Sequence, residues 1–267
     1  MGKRKTLKLL IVFLVFINQF IVSQHKTDNN RTIKVMTYNI HHGVNNNKQF
    51  DLDGIANVII KEKPDFVALQ EVDSVIKRSN NLDLSKILGQ KTKMKYLFGN
   101  ATKIDNGLYG VAILSKYPII HSKNVALPFQ KNEEPRTALQ ITSVLPSGDT
   151  ISFISTHLDY KDKNHYRKEQ VQKINMAFNS NKYPTILAGD INDIPSSKTL
   201  EILHTYWIPT FNKNNPKSTF PADHPYKKID YIFYSKKNKW KLLSQNVVND
   251  SIASDHRPYI ATLQLIK

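Results

Sequence analysis

The sequence predicts an α/β layered sandwich, in which mixed β-sheets are flanked by helices. Apolar, β-branched runs recur along the chain, and amphipathic helical patterns fall between some of them. Consecutive strands follow one another in both βαβ-like and hairpin-like order, which favours mixed sheets over purely parallel ones. Because 40% of the 267 residues are hydrophobic, the chain can bury a sizeable core, and wholesale disorder is not expected.

The first 24 residues are predicted to be a secretory signal peptide, and residues 25–31 a polar spacer. The basic segment MGKRKTLK precedes the apolar run LLIVFLVFINQFIV, and small-residue character follows near Ser23. The alternative is a single membrane anchor, but the run is short for the roughly 20 residues that a span needs. We therefore expect an exported protein, periplasmic or extracellular, with one domain over residues 32–267. The absence of cysteine excludes disulfides and a lipid-modified cysteine anchor.

The chain is strongly basic, with 38 Lys and Arg against 22 Asp and Glu and a formal charge of +16. Loss of Lys3, Arg4, Lys5 and Lys8 with the signal peptide leaves about +12. Such a surface could attract nucleic acid, anionic lipid or phosphorylated substrates. The alternative is a solvated basic surface without a dedicated partner, since the lysines are spread along the chain.

The first predicted elements form a strand–helix–strand unit. Residues 32–40 alternate in polarity and are rich in β-branched side chains, which predicts a strand. Residues 52–63 place Leu52, Ile55 and Ile59 on one helical face, and Pro64 ends that helix. Residues 66–72 (FVALQEV) then read as a buried strand.

The rest of the chain continues in the same style. A helix is predicted at 165–178, where Val171, Ile174 and Phe178 have helical spacing, and a short one at 197–204. Residues 235–241 (SKKNKWK) are predicted to be a solvated hairpin turn, although the tryptophan could touch an anionic surface. Further strands are predicted at 111–115, 138–145, 151–158, 185–191, 229–234 and 259–265.

Polar side chains repeatedly stand at the ends of the predicted strands. Each one alone could simply be a polar residue that faces water, but strand ends at one edge of a sheet converge in space, and sites are built there. The residues are Asn39, Glu71, His157, Asp190, Asn192, Asp230, Asp255 and His256.

The chemistry of this set favours a divalent metal ion and a phosphate. The carboxylate and amide oxygens suit Mg²⁺, Ca²⁺ or Mn²⁺, and without thiolates a soft-metal site is not expected. A divalent ion among carboxylates can bind a phosphate and neutralise the charge that develops as an ester bond breaks. His157 and His256 add donors for phosphate oxygens and candidate proton donors for a leaving oxygen.

Eight stretches of the chain resemble motifs of the endonuclease/exonuclease/phosphatase superfamily, also called the deoxyribonuclease I-like fold, and they occur in the family's order. The chain is similar to a secreted, bacterial-type member. The resemblance implies a four-layer sandwich of two packed mixed β-sheets flanked by helices, with the site at one rim. The stretches are TYNIHHG (37–43), PDFVALQEVD (64–73), YGVAILSKYPI (109–119), PRTAL (135–139), STHLD (155–159), GDIND (189–193), KIDYIF (228–233) and SDHRP (254–258).

The resemblance also implies a metal site and a reacting water. Glu71 resembles the principal metal ligand, with Asn39 beside it and Asp255 as a further carboxylate on the metal side. Mg²⁺ is the implied cofactor, with Mn²⁺ as an alternative. Asp190 resembles the residue that aligns or deprotonates the attacking water, and Asn192 would hold the phosphate or assist the metal.

Further implied roles concern the phosphate and the leaving group. His256 resembles the imidazole that contacts a non-bridging phosphate oxygen, paired with Asp230. His157 stands where many members carry a second histidine, proposed as the acid for the leaving group. Tyr109 and Arg136 resemble phosphate or substrate contacts, although Tyr109 could equally be a packed aromatic at a strand start.

One position departs from the pattern of the DNA-repair members, which have an acid two residues after the Asn39 position. This chain has His41 there. The difference weakens the case for two metals and for repair-type specificity, yet a neutral imidazole could still bind a metal.

The sequence therefore predicts a secreted, Mg²⁺-dependent phosphoesterase, foremost a phosphodiesterase that hydrolyses nucleic acid or phospholipid head-group esters by in-line attack of water. Inositol phosphates are a third candidate substrate. The chain is expected to act as a monomer with no protein partner. The alternative is a non-catalytic surface binding protein that retains the fold, which its full set of site residues disfavours.

Overall fold

Two six-stranded mixed β-sheets pack face to face, and helices flank them, as predicted. The computed structural model describes residues 31–131, 133–161, 166–237 and 240–266. The predicted signal peptide (1–24) and all but the last residue of the predicted spacer lie outside the described residues. No helix within the described ranges has the length and hydropathy that crossing a bilayer requires.

The first sheet contains the strands from the two ends of the described chain. They are β1 (Thr32–Asn39), β2 (Phe66–Ser74), β3 (Lys95–Ile104), β4 (Gly107–Ser115), β11 (Trp240–Val247) and β12 (Tyr259–Leu265). Their order across the sheet is β11-β12-β1-β2-β4-β3.

The second sheet contains the middle of the chain. Its strands are β5 (Ile119–Ala126), β6 (Thr137–Val144), β7 (Thr150–His157), β8 (Thr185–Asp190), β9 (Trp207–Pro209) and β10 (Asp230–Ser235), in the order β5-β6-β7-β8-β10-β9. The α-helices are α1 (Leu52–Glu62), α2 (Leu84–Thr92), α3 (Tyr166–Phe178) and α4 (Lys198–Leu203).

Both sheets are built on the same plan. Each has a central parallel pair, β1 with β2 and β7 with β8, and all their other pairings are antiparallel. Helix α1 connects the first parallel pair and α3 the second, as a parallel crossover requires. The carboxyl ends of four central strands therefore lie where a site can form between the sheets.

Alternation along β1 explains how the layers form. Ile33 and Val35 belong to the core between the sheets, whereas Met36 and Tyr38 pack into a second core with α1 and α2. At the end of the strand the buried inward position is polar, because Asn39 reaches Asp190 of the other sheet. The sandwich is thus apolar in its middle and polar at the rim.

The helix α1 shows how local signals fix an element. The Asp51 carboxylate accepts from the Gly54 backbone N–H at 2.8 Å and caps the first turn. Lys63 ends the helix in the left-handed conformation, and Pro64 follows, so the helix cannot continue.

The predicted strands and helices occur within a few residues of their expected bounds, with β4 starting four residues before the predicted 111–115. Within the expected turn at 235–241, β10 ends at Ser235 and β11 begins at Trp240, while residues 238 and 239 lie outside the described residues. The sequence interpretation missed α2, β3, β5, β9 and most of β11.

Candidate active site

A cavity of about 540 Å³ opens at the rim where the central strands end. Its walls come from both sheets and from the loops that follow the strands. The lining residues are Glu71, Arg136, His157, Tyr160, Asp190, Asn192, Asp193, Ile194, Phe220, Lys227, Ile229, Asp255 and His256.

Asp190 lies at the floor of this cavity and is 1% exposed. One carboxylate oxygen accepts from the Asn192 backbone N–H at 2.9 Å, and the other accepts from Asn39 Nδ2 at 3.1 Å. Its neighbours across the sheet are His157 on β7 and Asp230 on β10. Burial, and then the negative charge of Asp230, raise the pKa of Asp190 above its usual range. A carboxylate with a raised pKa is suited to accept a proton near neutral pH.

His256 is held between two buried carboxylates. Its Nδ1 lies 3.0 Å from Asp230 Oδ2, and its Nε2 lies 3.8 Å from Asp190 Oδ2. Burial opposes protonation of the ring, but the charge and hydrogen bond of Asp230 prevail and raise the pKa of His256 to about 10. His256 is therefore an imidazolium at neutral pH, and the ring of Phe220 packs against it at 4.7 Å between centroids.

His157 is in the opposite charge state. Its Nδ1 lies 3.0 Å from Arg136 Nη1, and its Nε2 lies 2.9 Å from Asn192 Nδ2. A guanidinium can only donate, so Nδ1 must accept and the ring is neutral. Burial, and then the charge of Arg136, lower the pKa of His157 well below its ordinary value. A neutral imidazole that Arg136 holds in this way is poorly suited to the predicted role of acid for the leaving group.

Glu71 reaches the cavity because β2 carries a bulge. The register against β4 shifts between Leu69 and Val72, and Glu71 has a left-handed backbone with φ of 55°. The bulge re-aims the side chain, while Val72 stays in the core that contains α1 and α2. Burial opposes ionisation, but the facing ring nitrogen of His42 and the amide of Asn39 lower the pKa of Glu71 below its usual range.

Asn39 joins the two halves of the site through its amide nitrogen. Nδ2 donates to Glu71 Oε1 at 3.0 Å and to Asp190 Oδ2, while Oδ1 accepts from the His41 backbone N–H at 3.1 Å. The two carboxylates on either side require a donor, and an amide nitrogen does not bind metal ions. In this arrangement Asn39 positions both carboxylates, and its role as a metal ligand stays a prediction.

Two groups of metal-ligating side chains lie at the site. In one, ligand atoms of Asp190, Asp230 and His256 lie within 4.8 Å of one another, and all three residues are buried. In the other, His41, His42 and Glu71 come equally close, and Glu71 is one of the residues that line the cavity. Asp255, the other predicted carboxylate, lines the same cavity, and its side chain is 27% exposed. The oxygen donors of Glu71 and Asp255 fit a divalent ion.

Tyr109 is buried on β4 and contacts a charged support. The Arg78 guanidinium lies 5.3 Å from the centre of its ring, and Asp73 holds Arg78 through two hydrogen bonds of 2.8 Å. Burial, and then the negative charge of Glu71, raise the pKa of Tyr109 well above its ordinary value. The phenol therefore stays protonated near Arg136. Tyr109 is a packed aromatic of β4, and its contact with a phosphate or substrate stays a prediction.

The sequence interpretation missed several residues that shape the site. His42 faces Glu71, and Phe220 packs on His256, although neither follows a strand end directly. Tyr160 and Lys227 line the open side of the cavity. For His42 the only available signal was a second histidine in IHHG.

Known proteins resemble this chain over most of its length. The sequence profile of the Endonuclease/Exonuclease/phosphatase family matches residues 36–256. The uncharacterized protein YbhP of Escherichia coli K12 is 25% identical over 248 residues, which cover 88% of this chain and 97% of YbhP.

Solved structures share the fold at low sequence identity. An endonuclease/exonuclease/phosphatase from Beutenbergia cavernae superposes with a TM-score of 0.72 at 21% identity, over 88% of this chain and 72% of that one. The human Nocturnin catalytic domain with a bound sulfate anion gives a TM-score of 0.69 at 19% identity, over 88% and 94%. Because the family profile matches residues 36–256, which is most of the chain, the chain belongs to the endonuclease/exonuclease/phosphatase family, whose members are hydrolases that act on phosphate esters.

Proposed function

We propose that this chain is an exported, divalent-metal-dependent phosphodiesterase that acts on nucleic acid or phospholipid head-group esters. The observation that carries the proposal is the pairing of Asp190 and His256 at the cavity floor. A buried carboxylate with a raised pKa lies beside a buried imidazolium, with 3.8 Å between Asp190 Oδ2 and His256 Nε2. One group can take a proton from water, and the other can donate to a phosphate oxygen.

In the proposed reaction, water attacks phosphorus while Asp190 accepts its proton. A new P–O bond forms and the bond to the ester oxygen breaks. The leaving oxygen takes a proton from solvent water, and Asp190 later returns its proton to solvent. Asn39 and the backbone of Asn192 hold the two Asp190 oxygens, so the base is oriented before substrate arrives.

His256, Arg136 and Asn192 would contact the phosphate. His256 offers an N–H from a ring that Asp230 fixes. Arg136 is 5% exposed and lines the cavity, and its charge complements the phosphodiester anion. A divalent ion, Mg²⁺ or Mn²⁺, held by Glu71 and Asp255 would neutralise charge on the phosphate oxygens.

The organic part of the ester would lie along the open side of the cavity. Tyr160 and Ile194 line that side and are 60% and 47% exposed, and Lys227 lies among the same lining residues. The aromatic and aliphatic side chains could pack against a nucleoside or the carbon skeleton of a head group, and the lysine could pair with a second negative charge on the substrate. The basic charge of the chain supports either substrate.

A substrate panel tests the proposal. We expect the purified protein with Mg²⁺ or Mn²⁺ to hydrolyse at least one of plasmid DNA, RNA, sphingomyelin, phosphatidylinositol and bis-p-nitrophenyl phosphate. Asp190→Asn should lower turnover by at least about 10²–10⁴-fold, because the proton acceptor is lost. Asp53→Asn on the exposed face of α1 is the matched control and should leave turnover unchanged. Metal binding without hydrolysis of any member would favour the non-catalytic binding protein.

Metal dependence gives a second test. Chelator should abolish activity, and added Mg²⁺ or Mn²⁺ should restore it. In Glu71→Gln a carboxylate ligand is lost, so half-maximal activation should need a higher metal concentration. An unchanged metal titration in Glu71→Gln would remove Glu71 from the metal site.

We also propose that the active form is a monomer. Size-exclusion chromatography with light scattering measures this directly, and a mass of twice the chain would contradict it.

A further inference from the structure

Two adjacent histidines lie beside Glu71, which is one of the residues that line the cavity. We call His41, His42 and Glu71 the imidazole cluster. One ring nitrogen of each histidine and one Glu71 oxygen lie within 4.8 Å of one another. His42 Nδ1 lies 3.6 Å from Glu71 Oε2, a separation that two ligands of one metal ion can have.

The backbone at both histidines has an uncommon conformation. The backbone φ angles of His41 and His42 are 44° and 43°, in the left-handed region that residues other than glycine rarely adopt. The two rings meet edge to face with centroids 4.5 Å apart. Gly43 continues the turn at φ of 86°, and a methyl group there would press against the ring of Phe50. Such strain persists only where the surrounding structure imposes it.

The hydrogen bonding of His41 selects one tautomer. Its Nδ1 lies 3.1 Å from the backbone carbonyl oxygen of Val44. A carbonyl can only accept, so Nδ1 carries the proton and Nε2 keeps its lone pair. Metal-bound histidines in proteins are fixed in this manner, by donation from the other ring nitrogen to a carbonyl or carboxylate.

Access also distinguishes this cluster from the buried group at the cavity floor. The side chains of His41, His42 and Glu71 are 24%, 19% and 23% exposed, so an ion can reach them from solvent. The Asp255 carboxylate is close by, with its Oδ1 4.0 Å from His41 Nδ1. Asp190 and His256 are almost fully buried, so an ion reaches them from solvent less readily.

We propose that the divalent ion bound at Glu71 is also bound by His42 and His41, and that the centre selects Mn²⁺, Co²⁺ or Zn²⁺ over Mg²⁺. The inference rests on the proposed function for the presence of the ion and adds its ligands and identity. Imidazole nitrogen suits these transition ions, whereas Mg²⁺ prefers oxygen donors and retains its waters. A site with only carboxylate ligands would favour these transition ions over Mg²⁺ less strongly.

Pulsed electron paramagnetic resonance on Mn²⁺ bound to the purified protein tests the ligands without any assay of activity. We expect modulation from ¹⁴N of coordinated imidazole in the wild type and its loss in His41→Gln/His42→Gln. Mn²⁺ affinity should fall about 10–100-fold in the double variant, while Mg²⁺ affinity should change much less. His121→Gln, on the exposed face of β5, is the matched control and should retain the ¹⁴N signal and the affinity.

The outcomes separate this inference from the proposed function. If Mn²⁺ binds and depends on Glu71 but shows no ¹⁴N coupling, the histidines are not ligands, and the hydrolase proposal stands. A ¹⁴N signal that persists in the double variant would assign the nitrogen to another residue and overturn the inference. If no divalent ion binds the wild type, the proposed metal dependence fails as well. Circular dichroism of each variant confirms that it is folded.

Discussion

At the scale of single residues, the cavity floor is a set of charges that compensate one another. His256 is protonated because Asp230 contacts Nδ1, and His157 is neutral because Arg136 contacts its Nδ1. Two histidines of similar burial therefore have opposite charge states through one neighbour each. Asp190 therefore lies between the imidazolium of His256 and the neutral imidazole of His157.

The first prediction concerns the His256–Asp230 pair. His256→Ala should lower turnover about 10²–10⁴-fold, because a positioned donor is lost. Asp230→Asn should cause a similar loss, and the double variant should be little worse than either single one, because the two groups act as a unit. Steady-state kinetics on the folded variants measures this. Single losses that multiply in the double variant would contradict the pairing, and near-normal turnover in His256→Ala would remove His256 from the chemistry.

The second prediction concerns Lys228, a buried cation that packs 3.4 Å from the centre of the Tyr259 ring. Its Nζ has no hydrogen-bond partner among the described residues, and burial lowers the pKa of Lys228 to about 7 from its ordinary 10.5. Between these values the unfolded chain binds more protons, so the stability of the wild type should rise with pH across this window.

Lys228→Met should therefore be more stable than the wild type at pH 6, by on the order of 2–4 kcal/mol, and the difference should shrink by pH 9.5. Urea denaturation at both values measures it. Exposed Lys227→Met is the matched control and should show little change at either pH. A Lys228→Met protein that is destabilised equally at both pH values would show that the ammonium is not a cost to folding.

The sequence identified the residues of this floor but not their states. Asp190, Asp230 and His256 stand at strand ends or in a loop before a strand, and strand ends can be read from alternation. The neutral state of His157 depends on Arg136, which directly precedes β6 in the same sheet. The amide orientation of Asn39 depends on carboxylates from both sheets. Such contacts between residues that are distant in the chain are set by packing that no local pattern records.

At the scale of elements, the strands that position the site were predictable and several outer ones were not. β7 and β8 are buried apolar runs, and their patterns are clear. β5 is exposed over most of its length, and α2 is short and contains Gly89. The bulge in β2 could not be predicted either. The stretch QEVD has the pattern of a regular strand, but Glu71 is inserted relative to the pairing with β4.

The third prediction concerns the contact between β7 and β8. A methyl group at Gly189 would overlap the backbone carbonyl of Thr156 on β7. Gly189→Ala should part the strand ends that carry His157 and Asp190, lower stability by about 1–3 kcal/mol and reduce turnover by at least about 10-fold.

Gly148→Ala separates the two effects. An added methyl there meets no atom within 4 Å, but the left-handed backbone with φ of 82° is strained for alanine. We expect lower stability with unchanged turnover in this control. Equal turnover in Gly189→Ala and wild type, measured below the unfolding temperature, would show that the close approach of the strands does not position the site.

At the scale of the whole molecule, the site belongs to neither sheet. The first sheet supplies Asn39 and Glu71, the second supplies His157, Asp190 and Asp230, and loops close the cavity. Since both sheets repeat one pattern of pairing, corresponding strand ends meet at the same rim. No internal repeat in the sequence reveals this plan, because apolar strands tolerate many side chains that preserve the pattern.

The fourth prediction concerns export. The N-terminal 24 residues combine a basic start, an apolar run and small-residue character, so we expect their removal during secretion. Intact mass spectrometry of the protein from the periplasm or medium should find a chain that begins near residue 25. A cell-envelope protein that begins at Met1 would instead favour the membrane anchor.

The position of β12 in the chain determines when the site can be completed during synthesis and folding. This strand follows the other eleven in chain order, yet it lies between β11 and β1 and pairs with both, in the sheet that also contains the first strand. The loop before it brings His256 to Asp230. A nascent chain still lacking this strand has β1 without an antiparallel neighbour and Asp230 without its imidazole. A hydrolase that relies on this pair would therefore become active only after β12 has been synthesised and has paired with β1.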